Sequence, residues 1–200
     1  MTTTSKHPNK WHPANWLELS SPLTLGFAGL SLLALALALI TGGASNRALF
    51  SVYRSSAGNP LFYIRLFTHV LGHADFAHYA TNMAMFLLLC PLVEKTYGVG
   101  RTLLMFAVTA LITGLVHLLL SANTASLGAS GIIFMLILLS ASSTRKTRKI
   151  PLTLLLVAVI YMGQEIVGIF QKDNVSQLAH LIGGLCGLGF GLLLTKKQNH

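Results

Sequence analysis

Apolar residues fall into six runs, at 22–41, 76–93, 102–120, 127–141, 151–170 and 178–194, separated by short segments that hold most of the charged positions. None shows the strict alternation of a half-buried strand. The longer runs approach the roughly 20 residues, at 1.5 Å rise, that a helix needs to cross hydrocarbon. The fourth run is short for a lipid-exposed helix, and glycines open it. That pattern predicts a helix at the bundle centre, surrounded by protein and reached by water from one end. The expected fold is therefore all-α and polytopic, with six transmembrane helices over 22–195. An N-terminal tail (1–21) and a C-terminal tail (196–200) flank it. Trp11 and Trp16 in the first tail suit a membrane interface. A loop spanning about 42–72 separates the first two runs. It carries Phe50, Tyr53, Phe62, Tyr63 and Phe67, with a turn signal at Gly58-Asn59 before Pro60. A long loop so rich in aromatics is expected to pack on itself or lie in the interface.

Composition supports the membrane reading. The 200 residues are 53% hydrophobic and 10% charged, with a mean hydropathy of +0.66, whereas soluble domains carry about 25% charged residues. The net charge of +9 does not form a basic stripe interleaved with aromatics, so nucleic acid is not an expected partner. With a cytoplasmic N-terminus, ten Lys and Arg residues lie inside, the cluster Arg145 to Lys149 foremost among them. Four lie outside: Arg47, Arg54, Arg65 and Lys172. The positive-inside rule then puts both termini in the cytoplasm, and the first run reads as a retained anchor. Cys90 and Cys186 both fall within apolar runs at no redox or metal spacing, so no disulfide is expected.

This topology has a chemical consequence. The second, fourth and sixth runs all start on the outer side. His78, Asn82, Ser130 and His180 each fall a few residues past such a start, which brings all four into the outer third of the bilayer. Gly128 and Gly131 flank Ser130 and allow close backbone approach. His180 shares a helical face with Gly183, Gly187 and Gly191, a face suited to tight helix contact. If that contact is with the fourth helix, an imidazole can serve as general base for a serine nucleophile. His78 and Asn82, four apart on one face, offer N–H donors for a developing oxyanion. The competing readings are structural: Ser130 bonding back to a carbonyl one turn earlier, His180 as a packing residue, and His78 and Asn82 as interhelical polar glue. His69, His73 and His78 raise a metal reading, but no His-Glu-x-x-His sequence accompanies them and Asp75 stands at no recognised ligand spacing. No metal and no cofactor are expected. His69 and His73 are expected at the loop entry, binding water or capping the second helix.

Taken together, these positions resemble the rhomboid family of intramembrane serine proteases, in its bacterial six-helix form. The family's Gly-x-Ser-Gly corresponds to Gly128-Ala129-Ser130-Gly131, and its His-x-x-x-Asn to His78 through Asn82. Its Ala-His with spaced glycines corresponds to Ala179-His180, Gly183 and Gly187. A Glu-x-x-x-Gly-x-x-Arg pattern is met by Glu94, Gly98 and Arg101. Arg65 matches the arginine of a Trp-Arg pair in the first loop, with Ile64 where the family has tryptophan.

The resemblance implies Ser130 as nucleophile, His180 as base, and His78, Asn82 and the Ser130 backbone N–H as the oxyanion hole. It implies substrates that are single-span membrane proteins, cut in or near their transmembrane segment, with lipid as the surrounding partner. The implied site is the bacterial inner membrane, with the active site open to the outer face. Two other readings stay open: an inactive rhomboid-like binder of transmembrane segments, and a small transporter. The first characteristically lacks the dyad. The second calls for ionisable groups spread through the bilayer, whereas here only His117 stands apart.

Overall fold

The computed structural model describes residues 21–121, 124–143 and 174–195, together with Leu152, Leu155, Leu156, Val159 and Ile160, which are helical. Residues 1–20 and 196–200 of the two tails, the Arg145 to Lys149 cluster, and Gln164 and Glu165 of the fifth run lie outside the described residues.

Helix α1 (Pro22–Ile40) begins with proline at its first position, where the missing N–H is no loss. Its N-terminus is capped from a distance. Glu94 accepts from the backbone N–H of Leu23 (3.0 Å) and of Thr24 (2.9 Å), and from the Thr24 hydroxyl (2.7 Å). A buried carboxylate thus meets three donors and the positive end of a helix dipole, which is why Glu94 is tolerated at 4% exposure. The segment read as a loop folds into α2 (Ala44–Leu49), α3 (Pro60–Thr68) and a 3₁₀ turn at His69–Leu71. Asn59 starts α3 by accepting from the Leu61 N–H at 3.0 Å.

Helix α4 (Phe76–Tyr97) and helix α5 (Val99–Leu120) are joined by Gly98 alone, at φ +80°, a left-handed conformation that favours glycine. Helix α6 (Ser130–Ser143) and helix α7 (Asn174–Thr195) complete the described elements. Among the described residues, α1, α4, α5 and the Gln177–Leu194 portion of α7 are long and apolar enough to cross a membrane.

The core and surface are consistent with a lipid solvent. Ile132, Met135, Leu136 and Leu139 of α6 are wholly buried, while Leu39 and Ile40 of α1 and Leu119 of α5 face outward at 68–82% exposure. The fourth run is therefore the central helix, as its length and glycines predict. Phe27, Phe86 and Phe106 join α1, α4 and α5, with ring centroids 4.6–5.8 Å apart. The fourth helix starts at Ser130, three residues later than the apolar run. Ser126 is extended and exchanges two backbone hydrogen bonds with Val52 (2.9 Å each), and Gly128 takes φ +130°. Apolar composition registered those residues; it did not register their backbone pairing. The last helix is longer than its apolar run, reaching back to Asn174.

Candidate active site

Ser130 is the first residue of α6, so its N–H belongs to the turn that has no intrahelical acceptor. His180 lies in the N-terminal half of α7. Its Nε2 is 2.6 Å from Ser130 Oγ, well within hydrogen-bond distance. Two glycines set this separation. A Cβ at Gly183 would overlap the Gly131 carbonyl oxygen, and one at Gly187 would overlap the Met135 carbonyl oxygen. The two backbones are therefore in direct contact, and side chains one turn away reach each other without extension. Phe134, one turn beyond Ser130, stacks flat on the imidazole with centroids 4.7 Å apart and planes at 7°. This contact fixes the ring plane. Spacing rules did not single out Phe134, although its offset of four from Ser130 was the available signal.

On α4, Asp75 caps the helix by accepting from the His78 N–H at 2.8 Å. The cap is therefore Asp75, and not His69 or His73 as expected from their position. Both histidines are buried instead, at 5% and 0% exposure. His69 Nδ1 donates to the Arg65 carbonyl (3.1 Å) and His73 Nδ1 to the Leu71 carbonyl (3.1 Å). Burial, reinforced at His73 by the nearby His78, lowers each from 6.5 to about 4, so both are neutral at physiological pH. His73 has no accessible surface, whereas His69 lines the cavity described next.

His78 Nδ1 accepts from the Ala74 N–H at 3.5 Å, which leaves Nε2 to carry the proton. Gly128 lies against that ring: a Cβ there would come within 3.0 Å of His78 Nε2. Asn82 is 6% exposed and gives one amide proton to the His78 carbonyl at 3.0 Å, keeping the other. Ser130, His180, His78 and Asn82 all line one cavity of about 440 Å³, shared with Thr113 and Phe134. The four polar side chains that topology alone brought to one depth are thus in one place.

The remaining motif residues act at a distance. Arg65 is 2% exposed and ties the first loop together through Tyr53 Oη (2.9 Å) and Ser55 Oγ (2.6 Å), with Tyr53 stacked beneath its guanidinium at 4.3 Å. Ile64, by contrast, is 44% exposed, while Arg65 keeps its buried packing without a tryptophan beside it. Glu94 and Gly98 fix the start of α1, the end of α4 and the start of α5, and Arg101 is exposed near the start of α5.

A polytopic helical membrane protein with a serine and a histidine in contact beneath one surface is the class these observations define. The Rhomboid domain family matches residues 61–197, and the chain belongs to that family. Two Bacillus subtilis (strain 168) proteins named as rhomboid proteases are similar to it. YdcA is 31% identical over 140 residues, which make up 66% of this chain and 65% of YdcA. GluP is 31% identical over 169 residues, 80% of this chain and 32% of GluP. The matched region thus spans just under two thirds of one relative and about a third of the other.

Proposed function

We propose that this protein is an intramembrane serine endopeptidase that cuts membrane-protein substrates by a Ser130–His180 dyad. The observation that carries this reading is the 2.6 Å contact between Ser130 Oγ and His180 Nε2 at the wall of a polar-lined cavity inside an apolar bundle. In the proposed reaction His180 takes the hydroxyl proton as Oγ attacks the scissile carbonyl. A tetrahedral intermediate forms with negative charge on the former carbonyl oxygen. His180 then passes the proton to the leaving amine, and water hydrolyses the acyl-enzyme by the same exchange in reverse.

The oxyanion partners proposed are His78 Nε2–H, the second amide proton of Asn82 and the Ser130 N–H, each contributing about 3 kcal/mol. The positive end of the α6 dipole supports charge at the same place. Single-span substrates, a bacterial inner membrane, cytoplasmic termini and the division into tail (1–21), bundle (22–195) and tail (196–200) belong to the same proposal. Family membership and the ten-to-four distribution of basic residues support it.

A serine-directed fluorophosphonate tests this reading. Wild type in liposomes is expected to label and Ser130→Ala not to. His180→Ala is expected to fold yet to cleave a single-span substrate at least about 10³-fold more slowly. Absence of wild-type labelling, or cleavage by His180→Ala at the wild-type rate, overturns the dyad. A chelator is expected to leave the rate unchanged.

A further inference from the structure

A second cavity, of about 480 Å³, lies away from the dyad and is not used by the proposed reaction. It is bounded by Asn46, Arg47, Ser51, Tyr53, Arg54 and Thr124, and the residues from the first loop all precede the segment matched by the rhomboid family. Its level in the membrane follows from the helices around it. Gly43 lies just past the end of α1, its N–H on the Ala38 carbonyl (2.7 Å), and the Arg54 guanidinium donates to the last carbonyls of α5, Leu118 (2.7 Å) and Leu119 (2.9 Å). Helices α1 and α5 run in the same direction, so both ends mark the membrane boundary on the face where α4 and α6 begin. A phospholipid phosphate sits at that boundary.

The charge there is one-sided. No carboxylate lines the cavity among the described residues. The guanidiniums of Arg47 and Arg65 both lie over the Tyr53 ring, at 5.9 and 4.3 Å from its centroid, and Arg54 is the next residue along. Asp75, the nearest carboxylate in sequence, is engaged at the α4 cap. Two cations over one ring, with Arg54 at the wall of the same cavity, repel one another unless an anion joins them. The cavity wall also holds an acceptor that has no partner. Asn46 is 8% exposed; its amide nitrogen donates to the His73 carbonyl at 2.8 Å, and its Oδ1 is buried without a partner. A ligand that satisfies all of these groups pairs a phosphate with a hydrogen-bond donor close by.

We propose that this cavity binds the phosphodiester of a phospholipid headgroup bearing a hydroxyl or ammonium donor, with Arg47 and the remaining Arg54 N–H on the phosphate and Asn46 Oδ1 accepting from the donor. Such a lipid bridges the first loop to the segment that leads into Ser130. Thr124 lines the cavity, and Ser126, two residues on, pairs with Val52 and lines the catalytic cavity. The inference rests on the membrane fold and not on the proposed cleavage reaction.

Native mass spectrometry of the full chain in detergent tests it, with phosphatidylglycerol, phosphatidylcholine and inorganic phosphate as probes. Wild type is expected to retain phosphatidylglycerol in preference to phosphatidylcholine, whose headgroup has no donor. Arg47→Gln is expected to weaken retention by about fivefold, the factor one arginine supplies at an anionic surface, and Arg47→Lys to restore part of it. Equal retention of the two lipids, or unchanged retention by a folded Arg47→Gln protein, overturns the proposal. Displacement of the lipid by inorganic phosphate alone assigns the site to free phosphate and overturns the headgroup. No substrate enters this measurement, so a protein that binds the lipid without cutting leaves the inference standing, and one that cuts without binding removes it alone.

Discussion

At the scale of single residues, the site depends on groups that hold the imidazole as much as on the dyad itself. Phe134 lies flat on His180, and an imidazole free to rotate about χ2 spends less time with Nε2 on the serine hydroxyl. Phe134→Leu is expected to lower kcat about tenfold with KM little changed, the loss of one stacked pair, and Phe134→Tyr to restore it. An equal effect on both constants would assign Phe134 to substrate binding. The buried histidines give a second prediction. His69 and His73 titrate near 4 when folded and near 6.5 when unfolded, so between those values the unfolded chain binds protons that the folded chain refuses. Stability is then full above pH 6.5 and falls as the pH drops toward 4. Thermal unfolding in detergent across that range is expected to show the decline, and His73→Gln to flatten it. A wild-type midpoint independent of pH refutes this assignment.

At the scale of elements, contact between helices is what brings distant residues into register. Gly183 and Gly187 allow α7 to touch the backbone of α6, and nothing else in the sequence replaces their missing side chains. Gly183→Ala is expected to separate the two helices, lower the thermal midpoint by the equivalent of about 1–3 kcal/mol and remove most activity. Gly26→Ala, in α1 with open space around it, is the control that leaves both unchanged. Equal behaviour of the two variants would deny the contact its role. The spacing of Gly183 and Gly187 behind His180 was legible in the sequence because helical periodicity alone puts them on one face. Other parts of the site were not legible in this way. The Val52–Ser126 bridge joins segments far apart in the chain through backbone atoms, which no side-chain pattern encodes. The start of α6 at Ser130 depends on that bridge and on Gly128, so apolar composition placed it too early. The first loop's aromatics announced packing, but α2 and α3 are short and owe their form to Asn59, Pro60 and Arg65 acting together. Glu94 was legible as a motif, while its task of capping α1 needed the tertiary structure.

At the scale of the whole molecule, solvent decides which apolar residues are core. Leu39, Ile40 and Leu119 are as apolar as Leu136 and Leu139, yet the first three face outward and the last two are wholly enclosed. Hydropathy therefore marks the spans, and only the glycines and polar positions mark which faces turn inward. The same principle governs orientation. The outer-face assignment of the dyad rests on basic residues concentrated in alternate connecting segments, a distribution set by insertion and not by packing. It yields a direct test in spheroplasts with a membrane-impermeant maleimide, on a chain whose Cys90 and Cys186 have been replaced by alanine. A cysteine at Ala57, in the first loop, is expected to react from outside. A cysteine at Thr147, within the Arg145 to Lys149 cluster, is expected to react only after lysis. The reverse pattern would turn the molecule over, opening the cavity of Ser130 and His180 to the cytoplasm and putting the arginine-lined pocket on the inner leaflet. The contacts within the bundle would be unaltered, because they depend on helix packing and not on which compartment lies beyond.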